Sequence, residues 1–298
     1  FISGQLYWSK YQSSVSYRWG WWLYFFMRLA EKYGAFIPDT DFIIFMGDTG
    51  NMHFDYNAFP FFVGDGAEIE NQTLLVNGVR IQLAKQLPLF TMPRSYIWLH
   101  QSPVEGYEYI QCYRDAPQFN AFDQKLDKAI FRGGASGGDW KTSKRGRVIV
   151  PSTDENVTQF DAKYSCWYPG KPKKNAVPMR YCTEFANTTY QMRYKYIILI
   201  DGNSVRDAYP KQLSIGSIVL KQQSAFKEFW YYDVVDGQHM IEWTEYRDLK
   251  QLVINLTRNN VEPYTLQRQQ QIARNGRDFV DRYLVDECMD CFVLHMIE

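Results

Sequence analysis

Three turns in this sequence follow apolar runs and carry residues suited to chemistry on an anion or a proton. Ala129-Ile130-Phe131 leads into Arg132-Gly133-Gly134-Ala135-Ser136-Gly137-Gly138, and a basic stretch from Lys141 to Arg147 follows. Glycines after a strand let main-chain N–H groups come close to a phosphate. No Gly-Lys-(Ser/Thr) follows at the spacing of a Walker A loop, so the loop is of another kind. Tyr196 to Ile200 leads into Asp201-Gly202-Asn203-Ser204, which ends on a helix-capping residue type. Phe42 to Met46 stops at Gly47-Asp48-Thr49-Gly50-Asn51, which sets a carboxylate at the end of a strand, where it can take a proton. A second carboxylate, Asp65, lies in Val63-Gly64-Asp65-Gly66.

The elements that must position these turns can be read from the pattern around them. Lys195 to Trp230 reads strand, turn, helix, strand, turn, helix. Tyr196 to Ile200 is a β-branched apolar run, as expected of a strand buried on both faces. A short helix carrying Arg206 and Lys211 follows, Gly216-Ser217 breaks it, and Ile218-Val219-Leu220 is a second buried strand. That is a βαβ unit, and parallel sheets of this kind bind ligands at the carboxyl ends of their strands. Elsewhere the pattern predicts a helix over 17–33 and strands over 42–46, 57–63 and 239–243. A hairpin is expected around Asn77-Gly78, the favoured type I′ pair. Further helices are expected over 248–256, 267–283 and 286–297. A polar stretch at 115–122 marks a boundary between domains 1–122 and 123–298.

Composition bounds the function. The 298 residues suffice for one large domain or two ordinary ones, and 33 basic residues balance 33 acidic ones, which speaks against a nucleic-acid partner. Aromatic residues make up 17%, in keeping with a Tyr-rich core or with stacking platforms for sugars or bases. The most apolar stretch, Trp19 to Met27, is too short to span a bilayer. Five scattered cysteines do not form a disulfide framework, and Cys288-x-x-Cys291 has no second pair, so it reads as helix packing. The four histidines (53, 100, 239, 295) show no metal spacing. Asn71, Asn156, Asn187 and Asn255 begin N-glycosylation patterns. The start at Phe1 rather than Met is expected of a processed or trimmed chain.

The same residues resemble glycosyltransferase family 90, the family of Rumi-type protein O-glucosyltransferases and capsule-associated xylosyltransferases. The resemblance is carried by Asp201-Gly202, Ser204, Arg206, Gly216-Ser217-Ile218-Val219-Leu220-Lys221 and Glu228-Phe229-Trp230. Phe131-Arg132-Gly133 and Ser136 add to it, as does the Pro38-Asp39 turn leading to Asp48. It covers about residues 38–296 and is tightest from Ala129 to Phe229. It departs from the family at Gly47 and Gly50, where the family has Arg and Pro around the Asp. It departs at Gly134 in place of a hydroxyl residue, and at Ala208, where the family's Arg would fall.

This resemblance implies an α/β protein of the GT-B type, with two Rossmann-like domains facing a cleft and a C-terminal helix packing back across. It implies an inverting, metal-independent transfer of glucose or xylose from a UDP-sugar to a hydroxyl of a glycan or glycoprotein. Asp48 is the expected general base, with Asp65 in reserve. Arg132, Gly133, Ser136, Asp201, Ser204, Arg206, Ser217 and Glu228 are the expected donor contacts, and Tyr96 and Trp98, in the Pro-rich stretch 88–100, are the expected acceptor contacts. Neither cofactor nor metal is expected beyond the donor itself. The alternative is a catalytically silent UDP-sugar- or carbohydrate-binding protein of the same fold. The family points to the ER or Golgi lumen, while the short chain and few cysteines equally suit a cytosolic enzyme, such as those with which large algal viruses build glycans.

Overall fold

A computed structural model describes residues 18–38, 43–45, 61–63, 67–68, 73–76, 79–82, 89–91, 121–167, 177–202, 206, 208–224, 226–227, 230–258 and 262–297. The chain divides into two compact units: Phe1–Leu99, Ala225–Tyr231 and Tyr283–Glu298 form one, and His100–Ser224 with Tyr232–Arg282 form the other.

In the first unit, helix α1 (Arg18–Tyr33) precedes strands β1 (Ile43–Phe45), β2 (Phe61–Val63), β3 (Ala67–Glu68), β4 (Thr73–Val76), β5 (Val79–Gln82) and β6 (Leu89–Thr91). β1, β2 and β6 form a parallel three-stranded sheet, and β4 and β5 pair antiparallel around the Asn-Gly position. Two later segments belong to this unit. They are β12 (Phe226–Lys227), which pairs antiparallel with β3, and helix α7 (Asp286–Ile297). Asp290 on α7 is buried and forms ion pairs with Arg28 and Lys32, which lie one turn apart on α1.

The second unit is built on a six-stranded sheet. Its strands are β7 (Leu126–Gly133), β8 (Phe160–Trp167), β9 (Cys182–Glu184), β10 (Tyr194–Leu199), β11 (Ile218–Gln222) and β13 (Ile241–Trp243). Their order across the sheet is β13-β11-β10-β7-β8-β9, and every pairing is parallel. Numbered within the sheet, this is the 3-2-1-4-5-6 order of a doubly wound α/β sheet. All six residues of β10 are buried, which explains the apolar run from Tyr196 to Leu199, and the buried Lys195 pairs with Asp127 at 2.8 Å.

Alternate residues of the central strands feed two separate clusters. Phe131, Tyr196 and Ile198 pack on one face with Val148 and Ile149 of α2 (Gly146–Asp154) and with Leu249 and Val253 of α5 (Tyr246–Thr257). Ile272 and Ala273 of α6 (Leu266–Tyr283) complete that face. Ile130 and Ile197 pack on the other face with Met192 and Ile215, which follow α3 (Thr188–Gln191) and α4 (Tyr209–Ser214). Packing of this kind, burying apolar area at about 25 cal/mol per Å², is the main force holding the sheet to its helices.

The structure corrects two expectations. Cys166 on β8 and Cys182 on β9 form a disulfide between neighbouring strands, although five scattered cysteines had given no framework. Sequence spacing could not reveal it, because the strand register brings the two residues together across 16 positions. The short helix after β10 also starts later than expected. It begins at Tyr209 with Pro210 in its first turn, so Arg206 lies before the helix, in the connecting segment. Proline fits a first turn, where its missing N–H is not needed. No helix among the described residues is long and apolar enough to cross a membrane.

Candidate active site

In the second unit the strand order reverses between β7 and β10, because the chain winds outward from β7 through β8 and β9, then returns to β10 and winds the other way. At such a switch point the loops leaving adjacent strands part, and a crevice opens beyond the carboxyl ends. Ile130 lies opposite Ile197, which sets the glycine-rich segment after β7 beside the Asp201-Gly202 turn after β10.

The two turns touch. A Cβ built on Gly137, whose φ is +83°, would lie 2.9 Å from the Gly202 carbonyl oxygen. A Cβ on Gly202 would lie 2.8 Å from Ser136 Oγ and 2.9 Å from an Arg145 guanidinium nitrogen. Only residues without side chains permit this approach, and at Gly137 the left-handed backbone adds a second requirement.

Two guanidinium groups converge on the crevice. Arg145, immediately before α2, donates from Nη1 to Gly134 O at 2.7 Å and to Ser136 Oγ at 2.6 Å. Its Nη2 reaches Ile200 O at 3.4 Å, so a single side chain ties the β7 turn to the β10 turn. Arg206 donates from its main-chain N to Asp201 Oδ1 at 3.1 Å, and from Nη2 to the carbonyl oxygen of Arg132. Both guanidiniums lie over the Phe131 ring, at 5.8 Å for Arg145 and 5.0 Å for Arg206. A Cβ on Gly133 would lie 3.2 Å from Arg206 Nη1 and 3.5 Å from Arg145 Nη1. The ring supplies a π face, and the missing side chain at Gly133 supplies the space.

The start of α2 is held by its own local bonds. Ser143 Oγ accepts from Gly146 N, the first residue of the helix, at 3.1 Å. Asp139 Oδ1 accepts from Lys141 N and Thr142 N, and these bonds hold its carboxyl below the usual carboxylate range. Tyr164 on β8 donates to Trp140 O, and burial pushes its phenol pKa up, so it stays a donor. From this turn the Arg145 side chain reaches the glycine-rich loop.

Arg132, Asp201 and Ser217 have their side chains engaged within the sheet and its turns. The Arg132 side chain is buried on the opposite face from the Phe131 ring. It donates to Phe131 O and Asp161 O and pairs with Asp161 Oδ1 at 2.6 Å, and Tyr194 donates to the other Asp161 oxygen. Arg132 thus offers the crevice its carbonyl, with its guanidinium committed to β8. Asp201 is 1% exposed and accepts from Arg206 N and from Lys221 at 3.2 Å, which makes it a brace beneath the turn. Ser217 precedes β11, at the amino edge of the sheet. There Ser217 Oγ accepts from Lys125 and donates to Tyr194 O at 2.7 Å. In a parallel sheet that edge lies a strand length, about 16 Å, from the carboxyl ends.

Gly133, Ser136, Asp201 and Arg206 are brought together. Asp48, Asp65, Tyr96, Trp98, Ser204 and Glu228 lie outside the described residues. Arg145 was missed by sequence reasoning, which saw only the basic stretch 141–147. Its burial, beside the exposed Lys141, Lys144 and Arg147, is the signal that separates it.

Residues 112–298 match the model of Glycosyl transferase family 90. No curated protein matches the chain in sequence. Among solved structures, HepE from Anabaena, crystallised in complex with UDP, aligns with a TM-score of 0.39 and 9% identity over 63% of this chain and 54% of that one. This chain therefore spans about half the length of HepE. The family match takes in more than half of the chain and contains the whole crevice, and the protein belongs to glycosyltransferase family 90.

Proposed function

We propose that the protein transfers glucose or xylose from a UDP-sugar to a hydroxyl of a glycan or glycoprotein, with inversion and without a metal ion. The observation that carries this reading is the convergence of Arg145 and Arg206 on Gly133, beside Ser136 and Gly202, at the switch point of a doubly wound sheet. Guanidinium groups suit diphosphate because each offers two parallel donors at fixed charge.

In the reaction, the acceptor oxygen attacks the anomeric carbon and its proton passes to a general base, for which the family resemblance nominates Asp48. The bond from that carbon to the diphosphate oxygen breaks, and UDP leaves with the electron pair. Arg145 and Arg206 stabilise the charge that gathers on the leaving group, as preorganised donors that need not reorient during the step. Arg132 holds Arg206 through its carbonyl. The family resemblance assigns the donor to the C-terminal domain and the acceptor to the N-terminal one, in the GT-B manner.

The test is UDP release from UDP-glucose and UDP-xylose in EDTA, with and without glycan acceptors, beside Asp48→Asn. Release from one donor, abolished in the variant, is the expected result. UDP binding with no release from any donor and acceptor pair points instead to a silent binding protein. Release that survives Asp48→Asn removes Asp48 as the base.

A further inference from the structure

We infer that Lys221 is a positioning residue for Arg206, acting through Asp201. The inference rests on the donor site proposed above and adds a residue that the family resemblance quotes without a role. Lys221 lies near the carboxyl end of β11, in register with Leu199 of β10, two residues before Asp201. Its side chain is 5% exposed, and that of Asp201 is 1% exposed. Lys221 Nζ contacts Asp201 Oδ2 at 3.2 Å and donates to the adjacent Gln222 carbonyl at 2.6 Å. The other Asp201 oxygen accepts from Arg206 N at 3.1 Å. One carboxylate thus joins β11 to the backbone of the arginine that reaches Gly133.

Physical reasoning favours positioning over bulk stability for this pair. Taking two charges out of water costs several kcal/mol per ion, and well-packed apolar residues often serve stability as well or better. What the pair supplies is direction. A carboxylate shared between a fixed ammonium and a main-chain N–H has little freedom to turn. Arg206 precedes the α4 helix, where its main chain is held by Asp201 Oδ1, which accepts from its N–H, and by Tyr209 N, which donates to its carbonyl at 3.1 Å. The lysine needs no contact with the donor to do this.

Isothermal titration with UDP tests the inference on the full chain. Lys221→Met is expected to weaken UDP binding about tenfold, and Lys221→Arg, which keeps the charge, to restore most of it. Arg206→Ala weakens binding at least as much, and adding Lys221→Met to it brings no further loss, because the lysine acts through the arginine. In turnover the loss falls on KM for the donor. Should Lys221→Met fail to fold, Lys221→Gln carries the same comparison. UDP affinity unchanged in the folded Lys221 variant, or losses that simply add in the double variant, overturns the inference while leaving the donor site standing. A wild-type protein that does not bind UDP overturns both.

Discussion

Arg145 Nη1 donates to Ser136 Oγ at 2.6 Å, which fastens the residue before α2 to the glycine-rich loop after β7. The same guanidinium also reaches Gly134 O and Ile200 O. Removing it takes away both a charge at the crevice and the tie between its two walls. Arg145→Ala is expected to weaken UDP binding by about 10- to 100-fold, from the roughly 1.5–3 kcal/mol of a hydrogen bond to a charged group. Titration calorimetry reads this directly. Arg145→Lys recovers only part of the loss, since a point charge cannot span the same carbonyl and hydroxyl.

The glycines make a paired prediction. Gly202→Ala drives a methyl group to within 2.9 Å of Arg145 and Ser136, so overpacking of about 1–3 kcal/mol falls on the site itself. Gly138 has a φ of +115° but nothing within 4 Å of its Cβ position. Gly138→Ala therefore carries backbone strain of about 1–3 kcal/mol without displacing the arginine. Both variants melt lower by differential scanning fluorimetry, and only Gly202→Ala loses UDP affinity.

Much of this architecture was legible in the sequence. β10 and β11 announce themselves as apolar β-branched runs because both faces are covered, and the β4–β5 hairpin follows from Asn77-Gly78. The α2 helix was not read, since Gly146 at its start and Pro151 inside it argue locally against helix, and tertiary packing of Val148 and Ile149 overrides them. The place of Ser217 at the amino edge was not legible, because its motif gives neighbours along the chain but not the edge of the sheet at which they lie. Arg145 is one of several basic residues between 141 and 147, and only burial in three dimensions picks it out.

Lys125 sets a pH dependence of stability. Burial, with a smaller contribution from Arg277, lowers its pKa from 10.5 to about 7, and its ammonium donates to Ile215 O and Ser217 Oγ. Between these two values the unfolded chain holds the proton that the folded one releases, so stability rises with pH through that window. Tyr194 and Tyr196 act the other way above about pH 10, because burial raises both phenols and the unfolded chain ionises first. Melting temperatures of the wild type are expected to climb from about pH 7 to about 9.5. Lys125→Met is expected to flatten that rise.

The Cys166–Cys182 bond closes a loop of 16 positions between β8 and β9, with Cα atoms 5.5 Å apart. Constraint of the unfolded chain by such a loop is worth about 3 kcal/mol. The double variant Cys166→Ala/Cys182→Ala is expected to lose about that much in urea denaturation, with the m-value little changed. Equal midpoints for the variant and the oxidised wild type contradict the bond.

The most direct test of the account is UDP affinity, by calorimetry, of the wild type beside Arg145→Ala and Arg206→Ala, both checked for folding. The account predicts that the wild type binds and that each variant weakens binding at least about tenfold, a loss of roughly 1.4 kcal/mol or more. A wild type that binds UDP equally well after both substitutions would place the nucleotide elsewhere and contradict the site built on the β7–β10 crevice.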